Sequence, residues 1–510
     1  MSAKLLEDGP IWLVEPDINP VTRRFGLPAV ANYPPLAQVR LAGQIDDPRV
    51  RIVDMRIARE KKGFERAIRE EAPAVVGLSL TFTSNGDEAM RIASIVREAS
   101  PATVIVLGGT GASEDPDSFY DSEVDFIAYR HGDASFAALV RDLRRSGNKP
   151  DAAAGFYARA GGQWARGEDV DVIAMDALKP YAWHLLPRHY WRHYFQGYRP
   201  TGMGQMSEGC PFDCTFCTVW KVHGRKVNVS SLDNVRHDLR SLPDFARAYF
   251  FADDIWMQAT EDQLRALHDP LLEWVASDFL PSRSSDLWFT TETRTDLFLR
   301  QDARFRAWVE DGALQRILFG VEAVTDEQLD DYSKRTTTDI NSEAIRTAAS
   351  WGVFVTAQFV IPCDADRVYF DEMARFLDEH RDVINVSNFT IATPLPGTEL
   401  YESELSRHTE LADRGVVTHP AFSLFTALSP MKMEPAEFYE QVARVHRVAN
   451  RFTFDWTALE NLAIVALRSP WLLPSVLKMP AHLKALTRAE TFLATHREVQ
   501  GERLLTPQLT

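Results

Sequence analysis

Short apolar runs alternate with amphipathic helical patterns in the N-terminal part of the chain. The runs are PIWLVEP, RVRIVDM, AVVGLSLTF, TVIVLGG and VDFIAYR, and DEAMRIASIVREAS is typical of the stretches between them. Strands that alternate with helices of this length indicate βαβ units and a parallel sheet. Residues 1–150 are therefore predicted to form a doubly wound, Rossmann-like α/β domain, whose ligands lie beyond the carboxyl ends of the strands.

The same alternation returns between residues 200 and 400. Its strand candidates are GQMSEG, RAYFFADD, DLWFTTETR, RILFGVEA, FVTAQFVIP and VSNFTIATPLPG. Six strands, most of them followed by a helical stretch, favour a partial (β/α)6 barrel, in which chemistry gathers at the carboxyl ends of the strands. Residues 151–199 are predicted to be a connector that contains a hairpin, GFYARAGGQWARG, and residues 401–510 to be a mostly helical C-terminal region.

Composition and charge narrow the classes of function. The chain has 510 residues, of which 45% are hydrophobic and 25% charged, as in ordinary globular proteins. A formal net charge of −16 argues against a nucleic-acid partner, because neutralising phosphates requires clustered Lys and Arg. The N-terminal stretch MSAKLLEDGPIWLVEP does not have the pattern of a secretory signal, and no uncharged apolar run reaches about 18 residues. A cytoplasmic location is predicted.

The stretch from residue 459 to 490 is apolar, carries spaced basic residues and is interrupted by Pro470, Pro474 and Pro480. Such a stretch could lie on a membrane surface or cover a lipid-sized cavity. The alternative is a set of helices that cap the open side of the barrel. The alternative is favoured, because short helices broken by proline and without a strongly charged face bind membranes poorly.

Three of the four cysteines fall within SEGCPFDCTFCTVW, at Cys210, Cys214 and Cys217. In a long chain without a secretory signal, cysteines in this arrangement indicate a metal or redox site rather than a disulfide framework. Three thiolates on one loop can hold three irons of a [4Fe–4S] cube and leave the fourth iron open. The alternative is structural zinc, which needs four ligands; the remaining Cys363 lies far away beside a proline.

The spacing C-x3-C-x2-C, with an aromatic residue before the last cysteine, resembles the radical SAM superfamily when it follows the first strand of a βα barrel. The resemblance implies that the three cysteines hold the cluster and that its open iron binds the amino and carboxylate groups of S-adenosylmethionine (SAM). Other strand ends fall where that superfamily contacts SAM. The implied contact residues are Asp253, Asp254, Glu292, Arg294, Glu322 and Lys334.

A Rossmann-like domain before such a barrel resembles the cobalamin-binding radical SAM proteins. The loops GLSLTFTSN, LGGTGASEDP and YRHGDASF fall where that family contacts cobalamin. The implied contact residues are Ser79, Thr81, Gly108, Gly109 and Gly132. The chain departs from the family pattern because it lacks the D-x-H-x-x-G motif that supplies a histidine ligand to cobalt. His131 is interpreted as a polar contact or an exposed residue rather than as that ligand.

Within this family the chain is most similar to the hopanoid C-3 methylase-like proteins. The shared stretches include EGCPFDCTFCTVWKVHGR, FGVEA and INVSNFTIATPLPGTE. The resemblance implies a C-methyltransferase in which an adenosyl radical takes hydrogen from an unactivated carbon and cobalamin supplies the methyl group. A flavodoxin or ferredoxin would provide single electrons. The aromatic connector PYAWHLLPRHYWRHYFQGYRP either walls a substrate cavity or forms an aromatic seam between domains, and the two interpretations are about equally favoured. An apolar cavity would suit a small-molecule substrate that is a lipid or polycyclic.

Two other functions remain open. The first is a radical oxidoreductase or cyclase with the same cofactors but no net methyl transfer, as in anaerobic bacteriochlorophyll ring formation. The second is a cobalamin or redox sensor without catalysis. A sensor would not need the cysteines together with an array of charged residues at the strand ends, so an enzyme is favoured.

Overall fold

The computed structural model of the protein describes residues 3–18, 23–25, 31–81, 85–129, 132–171, 173–186, 194–195, 200–407, 425–426, 432–449 and 478–505. The chain divides into two compact units. The first contains Met1–Pro20, Pro35–Trp191 and Asp233–Leu242. The second contains Val21–Pro34, Arg192–Leu232 and Pro243–Thr510.

The described strands and helices follow one another as in an α/β protein. In chain order the strands are β1 (Ile11–Glu15), β2 (Ala31–Asn32), β3 (Val50–Asp54), β4 (Val75–Ser79), β5 (Val104–Gly108), β6 (Phe126–Ala128), β7 (Phe156–Ala160), β8 (Gln163–Arg166), β9 (Tyr194–Phe195), β10 (Thr201–Gly204), β11 (Ser207–Glu208), β12 (Asn228–Val229), β13 (Ala248–Phe251), β14 (Trp288–Arg294), β15 (Leu314–Glu322), β16 (Phe354–Ile361) and β17 (Val386–Ile391). The α-helices are Ala3–Asp8, Leu36–Ile45, Ala58–Glu71, Gly86–Ala99, Thr110–Glu114, Gly132–Ser146, Val219–Val222, Leu232–Arg240, Glu261–Gln263, Asp269–Trp274, Leu280–Ser282, Thr295–Arg300, Asp302–Glu310, Asp326–Asp331, Thr338–Ser350, Arg367–Glu379, Glu399–Arg407, Pro435–Ala449, Met479–Leu486 and Ala489–Leu505. Two π-helical stretches, Leu264–His268 and Val275–Phe279, lie between the short helices of residues 261–282.

The first unit is built on a seven-stranded sheet in the order β3-β1-β4-β5-β6-β7-β8. The strands from β3 to β6 pair in parallel, and the predicted hairpin adds β7 and β8 antiparallel at the edge. Helices cover both faces. Trp12 packs edge-on against Phe64 on one face, and Gly77 lies against Phe136 on the other. The apolar character of whole strands follows from this double burial, and the doubly wound prediction is confirmed.

The second unit contains a six-stranded parallel sheet in the order β10-β13-β14-β15-β16-β17. One face of its strands is covered by helices. The rings of Phe251 and Phe289 stack with centroids 5.1 Å apart, and Trp308 of the helix Asp302–Glu310 packs edge-on against both. Because side chains alternate along a strand, Glu292 and Arg294 of β14 lie on the opposite, inner face. The partial barrel prediction is confirmed.

The strand predicted over GQMSEG is wrong in its bounds. The barrel strand β10 ends at Gly204, and β11 pairs antiparallel with β12 in a separate two-stranded ribbon. The carboxylate of Asp253 accepts hydrogen bonds from the backbone N–H groups of Met206 and Ser207, which takes this segment out of the parallel ladder. The cysteines therefore follow a short ribbon and not the barrel strand itself.

The described part of the C-terminal region is helical, as predicted. The helices Pro435–Ala449 and Ala489–Leu505 pack together, with the rings of Tyr439 and Phe492 stacked 5.9 Å apart. Residues 450–477, which include most of the apolar tail, lie outside the described residues, as do residues 187–193 and 196–199 of the aromatic connector. Among the described helices, none is both long and apolar enough to span a bilayer.

Asn341 is expected to be a stabilising buried polar residue of the barrel. Its side chain is fully buried, donates to the carbonyl of Val321 (3.1 Å) and accepts from the hydroxyl of Thr295 (2.6 Å). Asn341→Ala removes the acceptor of the buried Thr295 hydroxyl and one of two donors to the Val321 carbonyl, and it should lower the free energy of unfolding by about 1–3 kcal/mol. Urea denaturation measures this. The exposed Asn148→Ala serves as a control; equal effects of the two substitutions would contradict the expectation.

Candidate functional site

The cysteine loop begins and ends at a narrow neck next to the β11–β12 ribbon. The backbone N–H of Cys210 donates to the carbonyl of Gly224 (3.0 Å). Gly209 has φ +96°, and a Cβ at this position would lie 2.4 Å from the carbonyl oxygen of Lys226. Both its conformation and its contact therefore require glycine immediately before the first cysteine.

The middle of the loop is braced by neighbouring segments of the barrel. The N–H of Thr215 donates to the carbonyl of Tyr332 (3.2 Å), and its carbonyl accepts from the N–H of Leu400 (2.9 Å). The ring of Phe216 packs edge-on against that of Tyr332, with centroids 5.1 Å apart. The aromatic residue before the last cysteine thus anchors the loop to the segment that follows β15.

The three cysteines lie together and form no disulfides. Cys210 and Cys214 are buried, and Cys217 is half-buried. Burial raises the pKa of each thiol, that of Cys217 to about 12, and the other thiols add to the increase at Cys210 and Cys217. At Cys214 the nearby positive charges of Lys334 and Arg294 oppose the increase in pKa. These cations would stabilise thiolates at this position.

The zinc alternative requires a fourth ligand beside the three loop cysteines. Within the described residues, no group of three or more His, Cys, Asp and Glu side chains has the arrangement of a site for one metal ion. The fourth cysteine, Cys363, lies elsewhere in the barrel, with its thiol 3.4 Å from the carbonyl of Ala392. It takes no part in the loop.

Asp253 and Asp254 follow β13 and lie against the segment that leads into the cysteine loop. One oxygen of Asp253, Oδ1, accepts from the hydroxyl of Ser207 (2.6 Å) as well as from the two backbone N–H groups. Oδ2 is buried without a partner. Burial, followed by repulsion from Asp254, raises the pKa of Asp253 to about 7. Asp254 accepts from the N–H of Gly209 (2.7 Å) and lies 2.8 Å from Nδ1 of His223.

Arg294 lies at the end of β14 and contacts the cysteine loop directly. Its guanidinium stands 3.8 Å from the ring centroid of Phe212, a cation–π geometry. Nε donates to Asp296 (2.8 Å) and Nη2 to the carbonyl of Lys334, whereas Nη1 is buried without a partner. The sequence did not indicate the contact with Phe212, because only the fold brings the two together.

Glu322 and Lys334 form an ion pair with a distance of 2.7 Å between Oε1 and Nζ. A register shift in β15 precedes Glu322, whose φ of +65° lies in the left-handed region. Such bulges redirect side chains beside functional sites. The pair lies over Gly320, where an added Cβ would be 2.5 Å from Oε1 and 2.9 Å from Nζ.

Glu292 lies near the ion pair of Glu322 and Lys334, and their charges act on its carboxyl group. Burial raises its pKa to about 7; Gln358 and Lys334 oppose the increase, and Glu322 and Asp254 add to it. The residues predicted from the barrel strand ends therefore do lie in one region of the second unit. Their unpartnered atoms fit the zwitterionic part of SAM, because Oδ2 of Asp253 can accept from an ammonium group and Nη1 of Arg294 can donate to a carboxylate.

In the first unit the predicted glycines and hydroxyls meet at the carboxyl edge of the sheet. Ser79 and Gly108 are direct register partners at the ends of β4 and β5. Gly109 has φ +110°, and a Cβ there would lie 2.6 Å from the carbonyl oxygen of Leu80. Thr81 is exposed just beyond β4. Packing against Leu80 within the protein therefore requires glycine at position 109, at the edge where ligands of doubly wound sheets bind.

Gly132 begins the helix after β6, one strand further along the sheet. A Cβ there would have only Leu41 nearby, at 3.9 Å, so no steric reason requires glycine. His131 lies outside the described residues.

Polar groups that the sequence did not single out also lie at this edge. Glu15 ends β1, and its carboxylate accepts from Nε2 of Gln38 (2.8 Å). Burial raises the pKa of Glu15. Oε1 of Gln38 is buried without a partner, so it can accept a hydrogen bond from an amide of a ligand such as cobalamin. The signal in the sequence was an acidic residue closing an otherwise apolar strand.

Comparison with known proteins is consistent with both parts of this description. Residues 26–140 match the B12 binding domain family. The chain is 27% identical over 421 residues to the hopanoid C-3 methylase of Methylococcus capsulatus, which covers 81% of this chain and 75% of that protein. It is 23% identical over 463 residues to an anaerobic magnesium-protoporphyrin IX monomethyl ester cyclase of Rubrivivax gelatinosus, with 87% and 78% covered.

Two solved structures share the fold. The cobalamin-dependent S-adenosylmethionine radical enzyme OxsB with aqua-cobalamin bound is 13% identical, with a TM-score of 0.65 over 98% of this chain and 80% of that one. The radical S-adenosylmethionine methyltransferase TsrM from Kitasatospora setae, with cobalamin and a [4Fe–4S] cluster bound, is 15% identical, with a TM-score of 0.59 over 78% of each chain. The resemblance to the cobalamin-binding radical SAM proteins is confirmed. Among these proteins the relatives support an enzyme of the methyltransferase type.

Gly320→Ala should displace the ion pair between Glu322 and Lys334, because the new methyl group would overlap both charged ends. We expect the midpoint of thermal unfolding to fall, with a cost of about 1–3 kcal/mol as for other overpacked sites. Gly63→Ala is the matched control, since nothing lies within 4 Å of a Cβ in the middle of its helix. If Gly320→Ala is as stable as the control, the ion pair between Glu322 and Lys334 can shift without cost, and the expectation is wrong.

The raised pKa of Glu292 makes stability depend on pH. Between its ordinary value of 4.5 and its folded value of about 7, the folded protein keeps a proton that the unfolded chain releases, so this residue destabilises the fold increasingly as pH rises. Relative to the wild type, Glu292→Gln should therefore gain thermal stability on going from pH 4.5 to 7. Scanning fluorimetry of the metal-free proteins measures this. The exposed Glu379→Gln should show no such trend, and a pH-independent difference for Glu292→Gln would refute the expectation.

Proposed function

We propose that the protein is a cobalamin-dependent radical SAM C-methyltransferase that methylates an unactivated carbon of a small molecule. The cysteine loop is the observation that carries the proposal. It is closed at its neck, holds three buried or half-buried thiols and lies beside Asp253 and Arg294, each with one unpartnered buried atom. The match of residues 26–140 to the B12 binding domain family supports a second cofactor in the first unit.

The protein's own groups would bind and orient three cofactors. Cys210, Cys214 and Cys217 would hold a [4Fe–4S] cluster. Asp253, Asp254, Glu292, Arg294, Glu322 and Lys334 are the proposed SAM-binding residues, and Ser79, Thr81, Gly108, Gly109 and Gly132 the proposed cobalamin-binding residues. When bound, the cluster and SAM would supply the radical chemistry, and cobalamin would supply the methyl carrier.

Within that site, two residues have contacts that suit distinct parts of SAM. Oδ2 of Asp253 would accept from the ammonium group, and Nη1 of Arg294 would donate to the carboxylate. The ion pair between Glu322 and Lys334 would shape the floor beside Gly320. Burial of these groups excludes water, which strengthens each charged contact.

A lipid or polycyclic substrate is the preferred class. The similarity to a hopanoid C-3 methylase over 81% of the chain supports it. A radical oxidoreductase or cyclase is the second candidate, because the chain is also similar to a magnesium-protoporphyrin IX monomethyl ester cyclase. Methyl incorporation separates the two, since only the methyltransferase moves carbon from SAM to its substrate. A flavodoxin or ferredoxin donor and a cytoplasmic location complete the proposal.

The first test is anaerobic reconstitution with iron, sulfide and cobalamin, followed by incubation with SAM and a low-potential reductant. We expect bound cobalamin, 5′-deoxyadenosine and S-adenosylhomocysteine, quantified by mass spectrometry. Lipid extracts with methyl-labelled SAM then identify the acceptor. Deoxyadenosine without S-adenosylhomocysteine or retained cobalamin would overturn methyl transfer and favour the cyclase or oxidoreductase.

Single Cys→Ala substitutions at 210, 214 and 217 should each abolish deoxyadenosine formation and the visible absorption of the cluster, because three thiolates are needed to hold the cube. Cys363→Ala is the matched control and should retain both, since that thiol lies outside the loop. Iron and sulfide analysis gives the cluster content. Full cluster content in any of the three loop variants would count against the assigned ligands.

A further inference from the structure

Asp254 joins the two ends of the cysteine loop. A single carboxylate oxygen, Oδ2, accepts from the N–H of Gly209, which directly precedes Cys210, and lies 2.8 Å from Nδ1 of His223, which follows Cys217 by six residues. The side chain of Asp254 is only 8% exposed and that of His223 25% exposed. The buried carboxylate therefore bridges the two ends of the loop at its neck.

The other contacts at the neck reinforce this closure. The N–H of Cys210 donates to Gly224, the residue next to His223. The β11–β12 ribbon continues the pairing outward from the neck. A loop whose ends are held together has already lost the entropy that ligand binding would otherwise cost, and hydrogen bonds to a charged acceptor are the strong ones.

We propose that Asp254 and His223 are positioning residues that clamp the neck of the cysteine loop and thereby determine how firmly the cluster is held. This inference rests on the proposed [4Fe–4S] cluster. It also changes the role of Asp254, which the family resemblance implied to be a SAM contact. In the structure, Oδ2 of Asp254 contacts the two ends of the cysteine loop instead. Its neighbour Asp253, with Oδ2 buried and unpartnered, remains the better acceptor for the SAM ammonium group.

The chemistry of His223 allows a discriminating set of variants. The amide nitrogen of asparagine is as many bonds from the backbone as Nδ1 of histidine, so His223→Asn can still donate to Asp254. His223→Gln places its amide one bond further out, and His223→Ala removes the donor. Asp254→Asn keeps the shape of the acceptor but loses its charge. Asp213→Asn is the control, a carboxylate on the same loop whose partners Arg225 and Arg335 have exposed side chains, because exposed ion pairs contribute little.

The measurement is the rate at which a chelator removes iron from each anaerobically reconstituted full-length protein, followed by the absorption of the cluster. Residues that support metal ligands typically change affinity by 10–100-fold. We therefore expect roughly tenfold faster loss in Asp254→Asn, His223→Ala and His223→Gln. His223→Asn and Asp213→Asn should behave as the wild type. The reduction potential of Asp254→Asn, from EPR-monitored titration, should become more positive, since a nearby negative charge disfavours the added electron.

The outcomes distinguish a positioning role of Asp254 from a role as a SAM ligand and from a general effect of charge. If Asp254→Asn keeps iron as well as the wild type but binds SAM more weakly, seen as loss of the SAM-induced EPR change, Asp254 is a SAM ligand and the clamp is wrong. Faster loss in Asp213→Asn as well would show a general charge effect and also overturn it. If the wild type assembles no cluster at all, the proposed function fails, and the clamp fails with it.

Discussion

The hydrogen bonds from the segment that leads into the cysteine loop to two adjacent carboxylates are the constraint on which the second unit's candidate site depends. Asp253 and Asp254 lie just beyond the end of β13 and accept hydrogen bonds from the backbone N–H groups of Met206, Ser207 and Gly209. Buried N–H groups must find acceptors, and a carboxylate is the strongest available. Because these groups are satisfied by side chains, the chain can leave the parallel ladder after β10 and form a loop.

The alternation of side chains along β14 places apolar residues that stabilise the fold on one face and the candidate SAM-binding residues on the other. Phe289 faces the helices and joins the stacked rings of Phe251 and Trp308. Glu292 and Arg294, on the other side of the same strand, face the barrel interior. The apolar face supplies the free energy of burial, and it supports a polar face that is costly by itself. The raised pKa of Glu292 is a sign of that cost.

The two units offer ligands different kinds of surface. At the carboxyl edge of the first sheet, the small residues Ser79 and Gly108 end neighbouring strands, and Gly109 packs against the backbone of Leu80. Such a surface suits a large ligand that is bound through many weak contacts. In the second unit, paired charges and buried unpartnered atoms suit a small zwitterion. This difference agrees with a bulky cofactor in one unit and SAM in the other.

Much of the architecture could be predicted from the sequence, because strand and helix periodicity depends on local burial. The strand runs of both sheets, the edge hairpin and the three cysteines at Cys210, Cys214 and Cys217 were all predicted in this way. Contacts between residues distant in sequence could not be. The guanidinium of Arg294 over Phe212, the closure of the loop by Asp254 and His223, and the placement of Glu322 and Lys334 over Gly320 each join segments that share no local pattern. The end of β10 at Gly204 was missed for the same reason, since a carboxylate 49 residues further on, Asp253, decides where that strand stops.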